Sequence, residues 1–180
     1  MSLAVMPAGA ADYTLGIFGN ANMDDTIDED DIAYVEGIIE GTNERTELAD
    51  ADYDGEVDED DITQIELIIR GEEEELTVMD SLDRIVTVKK PVERIVMGTT
   101  SVADVTRMLG AQYRVVGVAK YIVTKPTYYP ELSKLPSIGG IPPDAEMILS
   151  LNPDLVTTWE YDITKHDLDK KLPGIPVVAF

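Results

Sequence analysis

Side chains that carry oxygen recur at regular spacing in two acidic stretches of this 180-residue chain. Each stretch has side-chain donors at positions 1, 3, 5, 9 and 12, with a backbone carbonyl expected at position 7. The first contains Asn20, Asn22, Asp24, Thr26, Asp28 and Asp31, and the second contains Asp50, Asp52, Asp54, Glu56, Asp58 and Asp61. A calcium ion takes about six to eight oxygen ligands, and this is the ligand spacing of an EF-hand loop. The sequence therefore predicts two Ca²⁺ ions, one in each loop.

A solvated acidic surface is the other explanation for so many carboxylates. The two stretches are, however, copies of one another at an offset of 30 residues, and the apolar position 8 is kept as Ile27 and Val57. This duplication favours metal loops, with Ile27 and Val57 predicted to pair through a short strand contact. Position 6 differs between the copies. Gly55 suits the positive φ expected there, whereas Asp25 would be strained, which predicts weaker binding by the first loop.

Each loop leads into a predicted helix, because isoleucine and valine follow it at helical spacing. The first helix is predicted over residues 31–40 and ends at Gly41, and the second repeats this pattern and ends at Gly71. The two apolar stripes predict one small shared core. A domain of about sixty residues is near the lower limit for an independent fold, so we expect calcium to contribute to its folding.

This arrangement resembles the dockerin family, in which a calcium loop and an exit helix occur twice without clear entering helices. The resemblance implies a small all-α domain of paired EF-hand-like repeats over residues 12–71 and calcium-dependent binding of a cohesin-bearing protein. The family's recognition positions correspond to Glu29, Asp30, Tyr34, Glu59, Asp60 and Gln64. Many cellulosomal dockerins carry hydroxyl residues where this chain has acidic pairs, so the resemblance does not specify the cohesin type. A calcium sensor that opens an apolar groove is disfavoured, because such sensors need entering helices.

Charge is distributed unevenly along the chain. Residues 1–75 contain 24 of the 36 acidic residues and two of the 14 basic ones, and they account for the whole net charge of −22. This split indicates two domains and disfavours nucleic acid as a partner, because the acidic half would repel phosphates. The chain has no cysteine, which excludes disulfides and zinc–thiolate sites. No apolar run reaches the ~18 residues that a membrane span requires.

Two short segments lie outside the predicted domains. Residues 1–11 are interpreted as a tag or signal-peptide remnant, because small residues precede Asp12, and an exported protein at the cell surface or outside the cell is expected. The four glutamates at 72–75 are predicted to form a solvated acidic linker.

The second half alternates between strand and helix patterns. A hairpin is predicted from strands at 76–80 and 85–88, followed by strands ending at Met97, Ala119, Trp159 and Phe180. Helices are predicted from a capping box at Ser101 and Asp104, over residues 144–151, and around residues 165–172. Strands alternating with helices predict a three-layer α/β lobe with a mostly parallel sheet over residues 76–180.

Four motifs in order make this half similar to the amino-terminal lobe of an ABC-transporter substrate-binding protein of the iron-siderophore, haem and cobalamin class. They begin at Pro91, Val115, Leu135 and Glu146. The resemblance implies a metal-chelate ligand held between two lobes, and the second lobe is absent from these 180 residues. It also implies that Glu146 docks onto an ABC permease. The helix dipole offers another explanation, because it favours an exposed acidic residue in the first turn of a helix.

The carboxyl ends of parallel strands predict where a ligand would lie. The residues expected there are Thr99, Thr100, Ser101, Tyr121, Trp159 and Tyr161. The alternative is that these are ordinary loop residues and that Trp159 is simply packed against the lobe.

No nucleophile–base pair is evident in the sequence, so an enzyme is not expected. The favoured interpretation is a non-catalytic exported protein whose dockerin module binds cohesin and carries a substrate-binding lobe. The alternative is a truncated ABC-transporter substrate-binding protein with a calcium-stabilised appendage.

Overall fold

The computed structural model describes residues 14–180, and the predicted remnant at residues 1–11 lies outside them. The described part of the chain divides into two compact units, residues 14–77 and 78–180. None of the helices within residues 14–180 has the length and apolar character that crossing a membrane requires.

The first unit contains two helices, α1 (Glu29–Ile39) and α2 (Glu59–Arg70), which pack against each other. Both begin two residues earlier than predicted, because a capping box fixes their start. Asp28 and Asp58 accept hydrogen bonds from the N–H of the second helical residue, while Asp31 and Asp61 accept from the N–H of the cap residue. Helix α2 ends at Gly71 in the left-handed conformation.

A small apolar core joins the two repeats of the first unit. Its fully buried members are Ala21, Val35, Ala49, Ala51 and Ile65. Ile27 and Val57 pack against this core as predicted, but within residues 14–77 no β-bridge joins them, so the predicted strand contact is wrong. Both residues lie in irregular backbone one residue before a helix cap, where the chain already turns towards the helix.

The predicted acidic linker is solvated in part, because Glu72, Glu74 and Glu75 are exposed. Glu73 is buried, and strand β1 (Glu75–Met79) begins at the last of the four glutamates. The Gln64 side chain donates to the Glu75 carbonyl at 2.9 Å, a contact within the first unit. The linker prediction is therefore wrong for the buried side chain of Glu73 and for the backbone of Glu75, which begins a strand. The chain passes from the first unit to the second within β1.

The second unit opens with a hairpin of β1 and β2 (Ile85–Lys89), as predicted. A four-stranded parallel sheet follows, in the order β4–β3–β5–β6. Its strands are β3 (Ile95–Met97), β4 (Val115–Val118), β5 (Leu155–Thr158) and β6 (Val177–Ala179). Successive residues of β3 face opposite sides of the sheet, and Val96 and Met97 belong to different apolar clusters. A cluster on each face makes this unit a layered α/β lobe.

Helices connect the strands of this sheet. They are α3 (Thr100–Met108), α4 (Lys120–Val123), α5 (Ala145–Ser150), α6 (Glu160–His166) and α7 (Leu168–Lys171). Short 3-10 turns occur at Gln112–Arg114 and Leu132–Lys134.

Two helix predictions need correction. Thr99, rather than Ser101, caps α3, because its extended backbone lets Oγ1 accept from the Val102 N–H at 3.3 Å. The single helix predicted around residues 165–172 is two helices, α6 and α7, because Asp167 adopts φ 51° and breaks the helix between them.

Candidate calcium loops and ligand crevice

The second acidic loop brings its first three carboxylates together. Single oxygens of Asp50, Asp52 and Asp54 lie within 4.8 Å of one another. Asp50 is buried, and its carboxylate accepts the N–H groups of Asp54 at 3.0 Å and Gly55 at 3.0 Å. Partial desolvation and the neighbouring negative charges raise the pKa of Asp52. A divalent cation would relieve this repulsion.

The position-12 aspartates form the buried floor of each loop. Asp61 accepts from the Ala51 N–H at 2.6 Å and the Asp58 N–H at 2.8 Å. Asp31 accepts from the Asn22 and Asp28 N–H groups at 3.1 and 2.9 Å. Burial raises the pKa of both aspartates. A carboxylate has about four acceptor sites, so each keeps capacity for a cation.

The first loop is ordered in the same way with fewer charges. The Asp24 N–H donates to the side-chain oxygens of Asn20 and Asn22, at 3.1 and 3.0 Å. The backbone N–H of Thr26 donates to Asp24 and lowers the pKa of that aspartate. Within residues 14–180, Asp25 is not among the residues with positive φ, so the strain predicted there is wrong. Position 4 is left-handed in both loops, as Met23 and Tyr53, and in the second loop Gly55 also has the positive φ expected at position 6.

An arginine that the sequence analysis did not single out lies against the second loop. Arg45 donates to the Asp50 carboxylate at 2.9 Å and to the Gly55 carbonyl at 3.1 Å. The equivalent position of the first repeat is Leu15, which has no positive charge. The arginine therefore neutralises part of one loop only.

The donor set of the second loop fits a calcium ion, because three of its carboxylates converge, and the first loop repeats the same spacing with fewer charges. The side-chain oxygens are pre-arranged by backbone N–H groups, and the carboxylate oxygens match the preference of a hard cation. Each loop would hold one ion. The ligands would be the residues at the predicted positions of Asn20–Asp31 and of Asp50–Asp61. When bound, the ion would offset the repulsion between carboxylates that the fold brings together.

The predicted cohesin-recognition residues lie at equivalent places in the two repeats. Glu29, Asp30, Glu59 and Asp60 are exposed in the first turns of α1 and α2, and Tyr34 and Gln64 are half-buried. The repeats differ at the latter pair, because only Gln64 ties its side chain to the β1 backbone.

In the second unit, three groups meet at the carboxyl ends of the parallel strands. Tyr121 donates its hydroxyl hydrogen to the Gly98 carbonyl and accepts from Trp159 Nε1 at 3.1 Å. Burial is the main cause that raises the pKa of Tyr121. Gly98 also lies close to the end of β5, where a Cβ on this residue would come within 2.8 Å of the Thr157 carbonyl oxygen. The predicted pair Tyr121 and Trp159 is thus in direct contact.

A groove of about 470 Å³ lies beside this contact. Its walls are Ile141, Trp159, Glu160, Tyr161, Asp162 and Phe180. Of the predicted crevice residues, Trp159 and Tyr161 line it, while Thr99, Thr100 and Ser101 form the start of α3 and are not part of its wall. Thr99 is buried, and its side chain serves as a helix cap.

Sequence reasoning missed Asp162. Its carboxylate is 1% exposed and accepts from the Thr158 hydroxyl at 2.7 Å. The signal was an acidic residue at the third position of a helix that follows a buried strand, which is a frequent place for a first-turn helix acid and so was not distinctive.

Glu146 lies in the first turn of α5 and is exposed, with Asp144 as the helix cap. The exposed apolar side chains Met147 and Leu149 follow it. A first-turn acid favoured by the helix dipole and a docking residue both fit this position.

The comparisons with known proteins concern the α/β part of the chain. No protein-family model matches. An uncharacterized ABC transporter substrate-binding lipoprotein, YvrC of Bacillus subtilis, is 35% identical over 85 residues, which are 47% of this chain and 26% of that protein. The molybdate periplasmic binding protein MolA of Haemophilus influenzae matches 58% of this chain and 34% of its own, with a TM-score of 0.51 and 27% identity. The second unit has the fold of an ABC-transporter substrate-binding lobe.

A further structure supports this fold alone. The petrobactin-binding protein YclQ of Bacillus subtilis has a TM-score of 0.51 at 23% identity and covers 59% of this chain and 38% of its own. The chain thus spans about a quarter of the curated relative and about a third of the matched structures. These similarities favour the transporter interpretation over the dockerin interpretation.

The same motifs have a structural role in the lobe. The Asp154 carboxylate accepts from the backbone N–H groups of Glu93 and Arg94, and the Arg94 side chain donates to the carbonyls of Leu151 and Asn152. This clamp joins the start of β3 to the end of α5. The motif residues Arg94 and Asp154 therefore hold the lobe together, away from the crevice.

Proposed function

We propose that this chain is the ligand-binding part of a non-catalytic, exported ABC-transporter substrate-binding protein, preceded by a calcium-stabilised module. The observation that carries the proposal is the meeting of Gly98, Tyr121 and Trp159 at the carboxyl ends of a parallel sheet, beside an aromatic groove. In open α/β sheets, ligands bind at this edge. The similarity to YvrC and MolA supports the same role and an exported or cell-surface location.

The ligand is proposed to be a metal chelate of the siderophore, haem or cobalamin kind, and Glu146 is proposed to contact the permease. Groove walls with three aromatic side chains favour a large ligand with flat apolar parts. Glu146 supports docking because it is exposed at the start of a helix.

The first unit is proposed to bind two calcium ions through the loops at residues 20–31 and 50–61. Its function in this account is structural. The ions would stabilise a unit whose apolar cluster is small and has three alanines among its buried members.

Equilibrium dialysis tests the ligand-binding role. The 180-residue chain in calcium is dialysed against haemin, cyanocobalamin and a ferric catecholate. We expect saturable binding of at least one chelate, weakened about tenfold by Trp159→Ala. Tyr113→Ala is the matched control, because Tyr113 is an exposed aromatic residue of the same unit outside the groove. Retention of none of the three chelates contradicts the proposal.

Cohesin binding is the second candidate function. It is favoured by the matching exposure of Glu29 and Asp30 with Glu59 and Asp60 in the two repeats. A pull-down with immobilised cohesins, with and without chelator, tests it. Calcium-dependent retention that Glu59→Lys combined with Glu29→Lys abolishes would support this candidate, and absence of retention would remove it.

A further inference from the structure

The groove of the second unit contains a buried carboxylate that its neighbours do not satisfy. Asp162 Oδ2 accepts from the Thr158 hydroxyl at 2.7 Å, but Oδ1 has no hydrogen-bond partner among residues 14–180. The side chain is 1% exposed. A buried carboxylate oxygen without a partner is costly, because it loses its water and gains no donor in exchange. Such a group at the wall of a groove indicates a missing donor.

The other walls of the groove restrict what that donor can be. The two charged residues among its six wall residues, Glu160 and Asp162, are both acidic. Trp159, Tyr161 and Phe180 are between 41% and 55% exposed, so their rings are available to a ligand. Aromatic faces attract cations, and acidic side chains repel anions.

We infer that this groove binds a ligand that carries a protonated amine, or a cluster of N–H donors, next to a flat apolar body. The donor pairs with Asp162 Oδ1, and the apolar body lies against Trp159 and Tyr161. This inference rests on the proposed ligand-binding function and narrows it, because it disfavours polyanionic chelates and oxyanions. Among metal chelates, it selects those with amide or amine groups at their periphery.

The single tryptophan of the chain makes the inference testable without a label. Trp159 fluorescence is followed while the 180-residue chain is titrated with benzylammonium, and separately with benzoate at the same ionic strength. The two probes share one ring and differ in the sign of charge. We expect a saturable change with benzylammonium and at least a fivefold weaker response to benzoate.

Two variants locate the effect. Asp162→Asn removes the charge and keeps an acceptor for Thr158, and it is expected to weaken benzylammonium at least fivefold. Glu131→Gln is the matched control, since it removes an exposed carboxylate of the same unit outside the groove and is expected to change the affinity less than twofold. Circular dichroism checks that each variant is folded. If a variant does not fold, the comparison of benzylammonium with benzoate on the unsubstituted chain still tests the inference.

The possible results distinguish failure of the amine-ligand inference from failure of the proposed ligand-binding function. Benzoate binding as tightly as benzylammonium, or equal effects of the two variants, overturns the inference. Retention of ferric catecholate in the dialysis, without a response to benzylammonium, upholds a ligand-binding lobe and overturns the amine class. If neither probe changes Trp159 fluorescence and no chelate is retained, the proposed function itself fails.

Discussion

Single residues decide how the two acidic loops differ. The convergence of Asp50, Asp52 and Asp54 could be predicted from the sequence, because the spacing of the acidic side chains is set within twelve residues. Arg45 could not, because its contact with Asp50 depends on how the segment between the repeats folds back. The strain assigned to Asp25 failed for a related reason. A glycine at the same position of the other repeat, Gly55, did not imply that the first loop takes the same path.

The second loop is still expected to bind calcium more tightly. It has five carboxylates at side-chain donor positions against three in the first loop. The Arg45–Asp50 pair opposes this, but Arg45 is 49% exposed, and such pairs contribute at most about 1 kcal/mol. A calcium titration followed by amide NMR should therefore shift residues 50–61 before residues 20–31.

Removing the arginine should widen this difference. Arg45→Ala is expected to raise the calcium affinity of the second loop by about twofold to fivefold, because Asp50 loses a competing positive charge. Arg70→Ala is the control, since Arg70 pairs with Glu66 and Glu72 outside the loops. An affinity lowered by Arg45→Ala would show that the arginine supports the loop instead of competing with the ion.

Asp80 gives the second unit an acid-sensitive contact. Its carboxylate accepts from Arg84 at 2.5 Å and from the Ala179 N–H at 3.1 Å, which joins the hairpin turn to the end of β6. Burial acts to raise the pKa of Asp80, but hydrogen bonds from Arg84, Ala179 and Leu82 outweigh it and lower that pKa below 3.8. The ionised form therefore stabilises the fold above pH 3.8, and this contribution is lost as the pH falls through the lowered pKa.

Asp80→Asn should lower the free energy of unfolding by about 2–3 kcal/mol at neutral pH, because Arg84 loses its buried charged acceptor and keeps only the partly exposed pair with Asp169. Urea unfolding followed by Trp159 fluorescence measures this. The difference between the variant and the original chain should shrink as the pH is lowered past the pKa of the folded carboxylate. Asp83→Asn, in the same turn with φ 55°, is expected to change stability by less than about 0.5 kcal/mol. A constant difference at all pH values would contradict the assigned titration.

At the scale of elements, hydrophobic periodicity was enough to predict the hairpin, the parallel strands and the helices after the loops. Periodicity was not enough to predict short helices. Helix α4 has four residues, too few to show a period, and Asp167 breaks a continuous polar pattern into α6 and α7. The start of α3 was misplaced because Thr99, Thr100 and Ser101 are all capable caps, and packing selects among them.

The clamp between β3 and α5 is an element-scale contact with a specific geometry. Arg94 donates through Nε to Asn152 and through Nη2 to Leu151, at 2.9 and 2.6 Å. Arg94→Lys keeps the charge and loses this fork, so we expect it to lower the free energy of unfolding by about 1–2 kcal/mol. Lys170→Ala, at an exposed ion pair, should have an effect below about 0.5 kcal/mol. Equal urea midpoints for Arg94→Lys and the original chain would remove the clamp from the account.

For the whole molecule, the uneven charge predicted two domains, and the structure divides the chain at residue 77. The boundary was placed a few residues too early because four glutamates indicate solvation more often than a strand. The ligand crevice was predicted in part. Its edge follows from the strand order, whereas Asp162 depends on side-chain contacts that no sequence pattern marks.

Calcium removal should act on one unit only. With chelator, the amide signals of residues 20–71 are expected to collapse towards the unfolded range, because the carboxylates of each loop then repel one another without an ion. The signals of residues 78–180 should stay dispersed, since that unit has its own two apolar clusters. An unchanged spectrum of residues 20–71 would show that the first unit folds without metal.

The central claim is that the second unit meets its ligand at the carboxyl ends of its parallel strands. The most direct test is an amide NMR map of the 180-residue chain in calcium, titrated with cyanocobalamin and with a gallium catecholate, two diamagnetic chelates. The account predicts that at least one gives saturable shifts centred on Gly98, Tyr121 and residues 159–162, with residues 14–77 unaffected. Shifts confined to other parts of the chain, or none with either chelate, would contradict it.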